Sequence, residues 1–181
     1  PRLRRPTVDM RRLADDSLIL RTPYDLPALP KNICVWLHKR AADAPDRLFI
    51  CKYAGDGSWQ GGTYGDAPRL IKPVVQNLLK RKLSPPRPLM IFSKNGSGSA
   101  LLQLAAMDIG VPVITLSPVL YLDEDNYEVL RRNITDTTPE LVFAADGEPF
   151  EDALKIAAGD VTEIIVESDL PRGVKVTLSK S

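Results

Sequence analysis

From Pro88 onward the chain switches repeatedly between two hydrophobic periods. Short apolar runs at Pro88–Phe92, Val111–Leu116, Leu141–Ala144 and Glu163–Val166 have the length and bulk of buried strands. Between them lie segments with helical spacing, predicted over Ser99–Ile109, Asp123–Thr135 and Pro149–Ala158. Four short strands separated by helices predict a parallel sheet covered on both faces. Right-handed crossovers then make the fold class α/β, a doubly wound parallel sheet with flanking helices. Residues 168–181 form a polar tail with one strand candidate, Val174–Leu178.

Upstream the pattern differs. Residues 1–30 hold Pro1, Pro6, Pro23, Pro27 and Pro30 and no sustained period, so they read as an extended N-terminal arm. A helix is predicted from Lys31, with Ile33, Trp36, Leu37 and Ala41 on one face, ending at Ala44-Pro45. A β-hairpin follows. Its first strand alternates from Leu48 to Tyr53, Gly55-Asp56-Gly57-Ser58 makes the turn, and the return strand covers Trp59–Thr63. Asp66 is placed to cap the next helix, with Leu70, Val74, Leu78 and Leu79 as its stripe. Pro68 suits the first turn, whereas Pro73 removes a hydrogen bond and should kink the helix or delay its start. Two regions result, 1–30 as the arm and 31–181 as the α/β domain.

Composition changes little in this picture. The 181 residues are 44% hydrophobic and 26% charged, ordinary for a soluble globular chain with one core. A net charge of +1 gives no global reason to expect nucleic acid. Arg2, Arg4, Arg5, Arg11 and Arg12 form a local basic cluster, read as a solvated arm. No apolar run is long enough to span a bilayer, and the N-terminus lacks a signal-peptide pattern. Cys34 and Cys51 make neither a disulfide framework nor a metal site, which points to a reducing cytoplasmic compartment. The chain begins at Pro1 rather than Met, which reads as a trimmed start.

Few residues invite a chemical reading. The loop Ser93-Lys94-Asn95-Gly96-Ser97-Gly98-Ser99 lies between a strand and a helix, where free amides and Lys94 could hold a phosphate. It lacks the Gly-Lys-Ser/Thr spacing of a Walker loop, and a turn with a serine N-cap accounts for the same residues. His38, the only histidine, falls on a polar helix face with no nucleophile assigned to it. Asp123, Glu124 and Asp125 fit a helix start through the macrodipole as well as they fit a cation. Tyr121 and Tyr127 beside them read as packing residues.

Three collinear segments carry a resemblance. The first runs from Ala41-Ala42-Asp43-Ala44-Pro45-Asp46-Arg47-Leu48 through Gly57-Ser58-Trp59 to Thr63-Tyr64-Gly65-Asp66. The second is Leu83-Ser84 to Arg87-Pro88 followed by Ile91-Phe92-Ser93-Lys94-Asn95. The third is the Ala-rich stretch Ala100 to Pro112, followed by Ser117-Pro118-Val119-Leu120-Tyr121-Leu122. Together they resemble the N-terminal portion of AMP-forming acyl-CoA synthetases, in the adenylate-forming ligase superfamily, over about Thr22 to Val166. Ser117-Pro118 with Tyr121-Leu122, and Thr138-Pro139-Glu140-Leu141-Val142-Phe143-Ala144-Ala145-Asp146-Gly147, look closest to feruloyl-CoA synthetases. Gly96-Ser97-Gly98-Ser99, Pro73 and Val119 depart from the family's usual residues.

The resemblance implies an ATP-dependent acid–thiol ligase that turns a carboxylate substrate, aromatic or fatty, into an acyl-adenylate and passes it to CoA. ATP, Mg²⁺ and CoA are implied for the full-length family, with no bound cofactor expected on this chain. The family's phosphate loop, adenine and ribose contacts and catalytic lysine have no counterpart here, so 31–181 is expected to stop before the phosphate loop. No catalytic or metal-binding residue is assigned, and the cofactor-binding residues are unknown. The expected partners are the remaining domains of the synthetase and further copies of the chain, with no nucleic acid and no membrane span. Two other readings stay open: a free-standing non-catalytic α/β binding domain, and a small flavodoxin-like nucleotide binder using Ser93–Ser99.

Overall fold

A computed structural model of the protein describes residues 7–169, 171, 174, 175, 177 and 178. The chain divides into two compact units, 1–31 and 32–181. The first unit holds a short antiparallel hairpin, β1 (Asp9–Arg12) with β2 (Leu18–Arg21). Its turn closes through Leu13 N–H donating to Ser17 O at 2.9 Å, and the Asp15 carboxylate accepts from Ser17 N and Oγ. All eight strand residues are exposed. No periodicity marks these strands in the sequence, because four exposed residues are too few to display one.

The second unit begins with α1 (Cys34–Asp43), the antiparallel hairpin β3 (Leu48–Tyr53) and β4 (Trp59–Thr63), and α2 (Ala67–Lys80). The alternating core follows: β5 (Leu89–Phe92), α3 (Ser97–Asp108), β6 (Val113–Thr115) and α4 (Val119–Leu122). After a 3-10 turn at Glu124–Asn126 come α5 (Tyr127–Thr137), β7 (Leu141–Asp146), α6 (Glu151–Ala157), β8 (Glu163–Ser168) and β9 (Thr177–Leu178). The last five strands form one sheet in the order β6-β5-β7-β8-β9, with every neighbouring pair parallel. Alternate side chains of the central strands feed two cores. Met90, Phe92, Val142, Ala144, Ile164 and Val166 pack with α4, α5 and α6. Leu89, Ile91, Leu141 and Phe143 pack with α1, α2 and α3. Helices on both faces of an all-parallel sheet make the unit doubly wound, as the alternation predicted.

The helix stripes match the sequence expectation only in part: Leu37 and Leu78 are buried as expected. On α1 the buried residues are Cys34 and Leu37, while Ile33 and Trp36 face solvent. Spacing alone cannot choose between two adjacent stripes, and here the smaller cysteine faces the core. On α2 Leu78 is buried and Val74 packs against the core as expected, but Ala67 and Ile71 take the other buried positions and Leu70 and Leu79 are exposed. The helix runs through Pro73 and its start is not delayed. Asp66 occupies the N-cap position but makes no capping bond. Its Oδ2 instead accepts from Thr63 N (3.0 Å) and Thr63 Oγ1 (2.8 Å), tying the end of β4 to α2, and Arg69 pairs with its other oxygen. The helix predicted over Asp123–Thr135 is preceded by a 3-10 turn, which Asp123 caps by accepting from Asp125 N.

Candidate functional site

In the strand order β6-β5-β7 the winding reverses: the chain leaves β5 toward β6 on one side and reaches β7 on the other. In open parallel sheets the crevice outside the carboxyl ends at such a reversal is where ligands bind. Here it lies past Phe92 of β5 and Asp146 of β7, which brings the Ser93–Ser99 loop to its rim. A cleft of about 470 Å³ opens between the ends of β5 and β6, lined by Ser93, Lys94, Asn95, Ser99, Gln103 and Thr115.

The loop is neither a Walker cradle nor a serine cap. Gly96 is the N-cap of α3, in extended conformation, and no side chain caps the helix. Ser99 sits inside the first turn and its Oγ donates back to Gly96 O at 3.0 Å. The carboxylate of Glu167, at the end of β8, lies against Gly98, with its oxygens 2.9 and 3.0 Å from where a Cβ would stand. An exposed carboxylate beside that turn disfavours a second anion there.

On the other face of the sheet ends sits Tyr121. It is fully buried, stacked on Phe92 at 5.0 Å and edge-on to Phe150 at 4.9 Å, a packing role in keeping with the sequence reading. Its phenol lies near the Ser93 amide, but Oη makes no hydrogen bond among the described residues, and burial pushes its pKa up. Tyr127 packs at the edge of the same core, with its phenol also raised, by burial and then by Asp152, Glu124 and Asp123. Asp146 at the end of β7 likewise has one buried oxygen, Oδ1, without a partner among the described residues. Sequence reasoning missed Asp146 and Glu167, since nothing in their local pattern separates them from surface carboxylates.

The remaining sequence candidates lie elsewhere. His38 projects from α1 toward Asp108 of α3, with Nε2 3.6 Å from Oδ1, and is half exposed. Cys34 is buried and its thiol donates to Leu104 O at 3.2 Å; burial, then Asp108, holds its pKa up. Cys51 is exposed and lines a second cleft of about 590 Å³, between the β3–β4 hairpin and the starts of α2 and α3, with Lys52, Asp66, Arg69 and Ser97. Asp123 and Glu124 are spent on the 3-10 turn. Among the described residues no group of three or more His, Cys, Asp or Glu side chains is placed to hold a metal ion. No helix among the described residues is long and apolar enough to cross a membrane.

No protein-family model and no curated protein matches the sequence. Solved structures do match the fold. The chain is similar to acetoacetyl-CoA synthetase from Streptomyces lividans, with a TM-score of 0.64 and 15% identity over 78% of this chain and 23% of that one. It is similar to the luciferase-like enzyme of the nonluminescent Zophobas morio mealworm, with a TM-score of 0.61 and 22% identity over 78% of this chain and 33% of that one. It is also similar to the fatty acyl-adenylate ligase of L. pneumophila in complex with acyl adenylate and pyrophosphate, with a TM-score of 0.58 and 14% identity over 82% of this chain and 25% of that one. At these identities the likeness is one of fold. The chain spans between about a quarter and a third of the length of these proteins.

Proposed function

We propose that this chain is the N-terminal scaffold subdomain of a cytoplasmic AMP-forming acyl-CoA ligase of the feruloyl-CoA synthetase kind. The observation that carries the reading is the shared fold. The fold aligns with ligases over about four fifths of the chain. The Ala-x-Ala-Pro-Asp-Arg, Thr-Tyr-Gly-Asp and Ser-Pro motifs fall in the corresponding order along it. In the whole enzyme a carboxylate and ATP would form an acyl-adenylate, and CoA would take the acyl group. This portion supplies none of the reacting groups. It presents the carboxyl ends of its strands as a wall, and the phosphate-binding and catalytic parts belong to domains beyond it.

The reading has a two-armed test. The protein encoded by the reading frame continued past Ser181 should show carboxylate-dependent exchange of pyrophosphate into ATP with ferulate, and should form the CoA thioester. The 181-residue chain alone should show no exchange above buffer. Exchange by the chain alone overturns the scaffold role. No exchange by the continued protein with ferulate or with a panel of aromatic and fatty acids overturns the ligase reading.

A further inference from the structure

The chain has five asparagines, and the side chains of four are held. Asn32 donates to Asp108 O and accepts from Val35 N. Asn77 accepts from Arg81 at the end of α2, Asn126 donates to Asp123 in the 3-10 turn, and Asn133 donates to Val129 O within α5. Asn95 differs. It is exposed in the loop between β5 and α3, and its carboxamide makes no hydrogen bond among the described residues. It is also the only asparagine followed by glycine.

An asparagine side chain can be attacked by the backbone nitrogen of the next residue. Here the Gly96 nitrogen, once it has lost its proton, bonds to Asn95 Cγ, the bond from Cγ to the amide nitrogen breaks, and ammonia leaves. The product is a cyclic succinimide. Water then adds to one of its two carbonyl carbons and opens the ring. Opening at Cγ gives aspartate, and opening at the main-chain carbon gives isoaspartate. A Cβ on the following residue crowds the attack, and glycine has none. The Gly96 N–H donates to nothing among the described residues, so no bond has to break before the nitrogen can turn. The two Asp-Gly pairs show the contrast. Gly147 N–H is fixed on Ser168 O at 2.9 Å, and Asp56 Oδ1 accepts from Ser58 N at 2.9 Å and Ser58 Oγ at 2.6 Å. A carboxylate is in any case a poorer target for this attack than a carboxamide.

We propose that Asn95-Gly96 is a spontaneous modification site, where the folded chain converts asparagine to aspartate and isoaspartate through a succinimide and so changes the charge of the cleft between the ends of β5 and β6. Lys94 is the only charged residue among those lining that cleft, and Asn95 lines it beside Lys94. Either product sets a carboxylate next to this cation and cancels the cleft's net positive charge. The new carboxylate stands just before α3, where the helix dipole favours a negative charge, so the fold tolerates it. Isoaspartate also routes the main chain through Cβ, which lengthens the loop at the cleft's rim. The cleft of an aged molecule therefore differs from that of a newly made one in charge and in outline.

The test holds the purified 181-residue chain in mildly alkaline buffer and samples it over weeks. Ion-exchange chromatography reads the charge change, and intact mass reads the replacement of the amide NH₂ by OH. Electron-transfer fragmentation of peptides that keep Lys94 and Gly96 together locates the site and separates isoaspartate from aspartate. The wild type should build up an acidic form converted at Asn95, with the other four asparagines intact. The rate should rise with pH, because the nucleophile is the deprotonated nitrogen. It should also stay within severalfold of the rate in urea, because no hydrogen bond holds the site in the folded chain. Gly96→Ala should slow the conversion severalfold and leave the fold unchanged. Gly96 is extended, with a φ of −156°, and an added Cβ would meet only Lys94 O and Ser99 Oγ, both at 3.9 Å. Asn95→Gln enlarges the ring that must form and should slow the conversion without touching the backbone, a readout that survives if the alanine variant folds poorly. Conversion at Asn95 that is far slower in the folded chain than in urea, or that is equally fast in the wild type and both variants, would overturn the proposal.

Discussion

Two glycines show how differently a single added methyl can be received. At Gly147 the neighbours are the Asp169 carbonyl oxygen, a proline ring and a Val166 methyl, and the two nearest, backbone and ring, cannot swing away. Gly147→Ala should therefore displace the chain after β8 and cost about 1–3 kcal/mol, the range for forcing volume into a packed site. At Gly98 the neighbour is the end of the Glu167 side chain, which rotates aside at little cost. Alanine also favours a helix over glycine by roughly 0.5–1 kcal/mol, so Gly98→Ala should be neutral or stabilising. Urea denaturation of the two variants beside the wild type checks both, and equal destabilisation would contradict this account. Asp66 gives a pH prediction at the same scale. Hydrogen bonds from the Thr63 amide and hydroxyl, then from Arg69, hold its pKa below the usual carboxylate value. Its stabilisation is present above the unfolded pKa and lost as pH falls through the folded one. Asp66→Asn should therefore weaken the dependence of stability on pH in the acid range, seen as a smaller loss of Tm between neutral and acid buffers.

Whole helices and strands extend the point about stripes. On α2 the leucines at 70 and 79 look as suited to a core as Ile71, but the structure buries Ile71 and leaves Leu79 57% exposed. Ile71→Ala should cost about 2–5 kcal/mol as a buried large-to-small change, whereas Leu79→Ala should stay within about 0.5 kcal/mol as a surface change. A reversed order in chemical denaturation would mean the stripe is assigned to the wrong face. The strands were legible because Leu89–Phe92 and Leu141–Phe143 are apolar on both sides, the mark of a sheet covered twice. Stripe rotation was not legible because it depends on what stands opposite. Cys34 turns inward against the Leu104 carbonyl, 70 residues away in sequence, and Trp36 turns outward. The β1–β2 hairpin was missed because its eight residues bury nothing and so leave no periodic trace.

The site belongs to the molecule as a whole. Alternation of strands and helices predicts a parallel sheet but not the order β6-β5-β7, and only that order makes the ends of β5 and β7 a crevice. Ser93–Ser99 was legible as a strand-to-helix loop, whereas Glu167, which lies over it, comes from some 70 residues further on. Surface properties belong to this scale too, and they carry the last prediction. In the second unit Ile33 and Trp36 lie one turn apart at the start of α1, both exposed, with Trp36 at 53%. Large apolar patches on a monomer tend to be covered by something. Burying a few hundred Å² on each of two copies would recover on the order of 10 kcal/mol at about 25 cal/mol per Å². Losing the freedom of independent molecules costs about 4–15 kcal/mol. The two nearly cancel, so the expected outcome is a weak association that grows with concentration rather than a tight dimer. Sedimentation velocity over a hundredfold concentration range should show the average mass rising, and Trp36→Lys should bring it back toward 20.0 kDa while leaving Tm unchanged, because the side chain is exposed. A wild-type chain that stays at the monomer mass throughout would show that this face needs no cover.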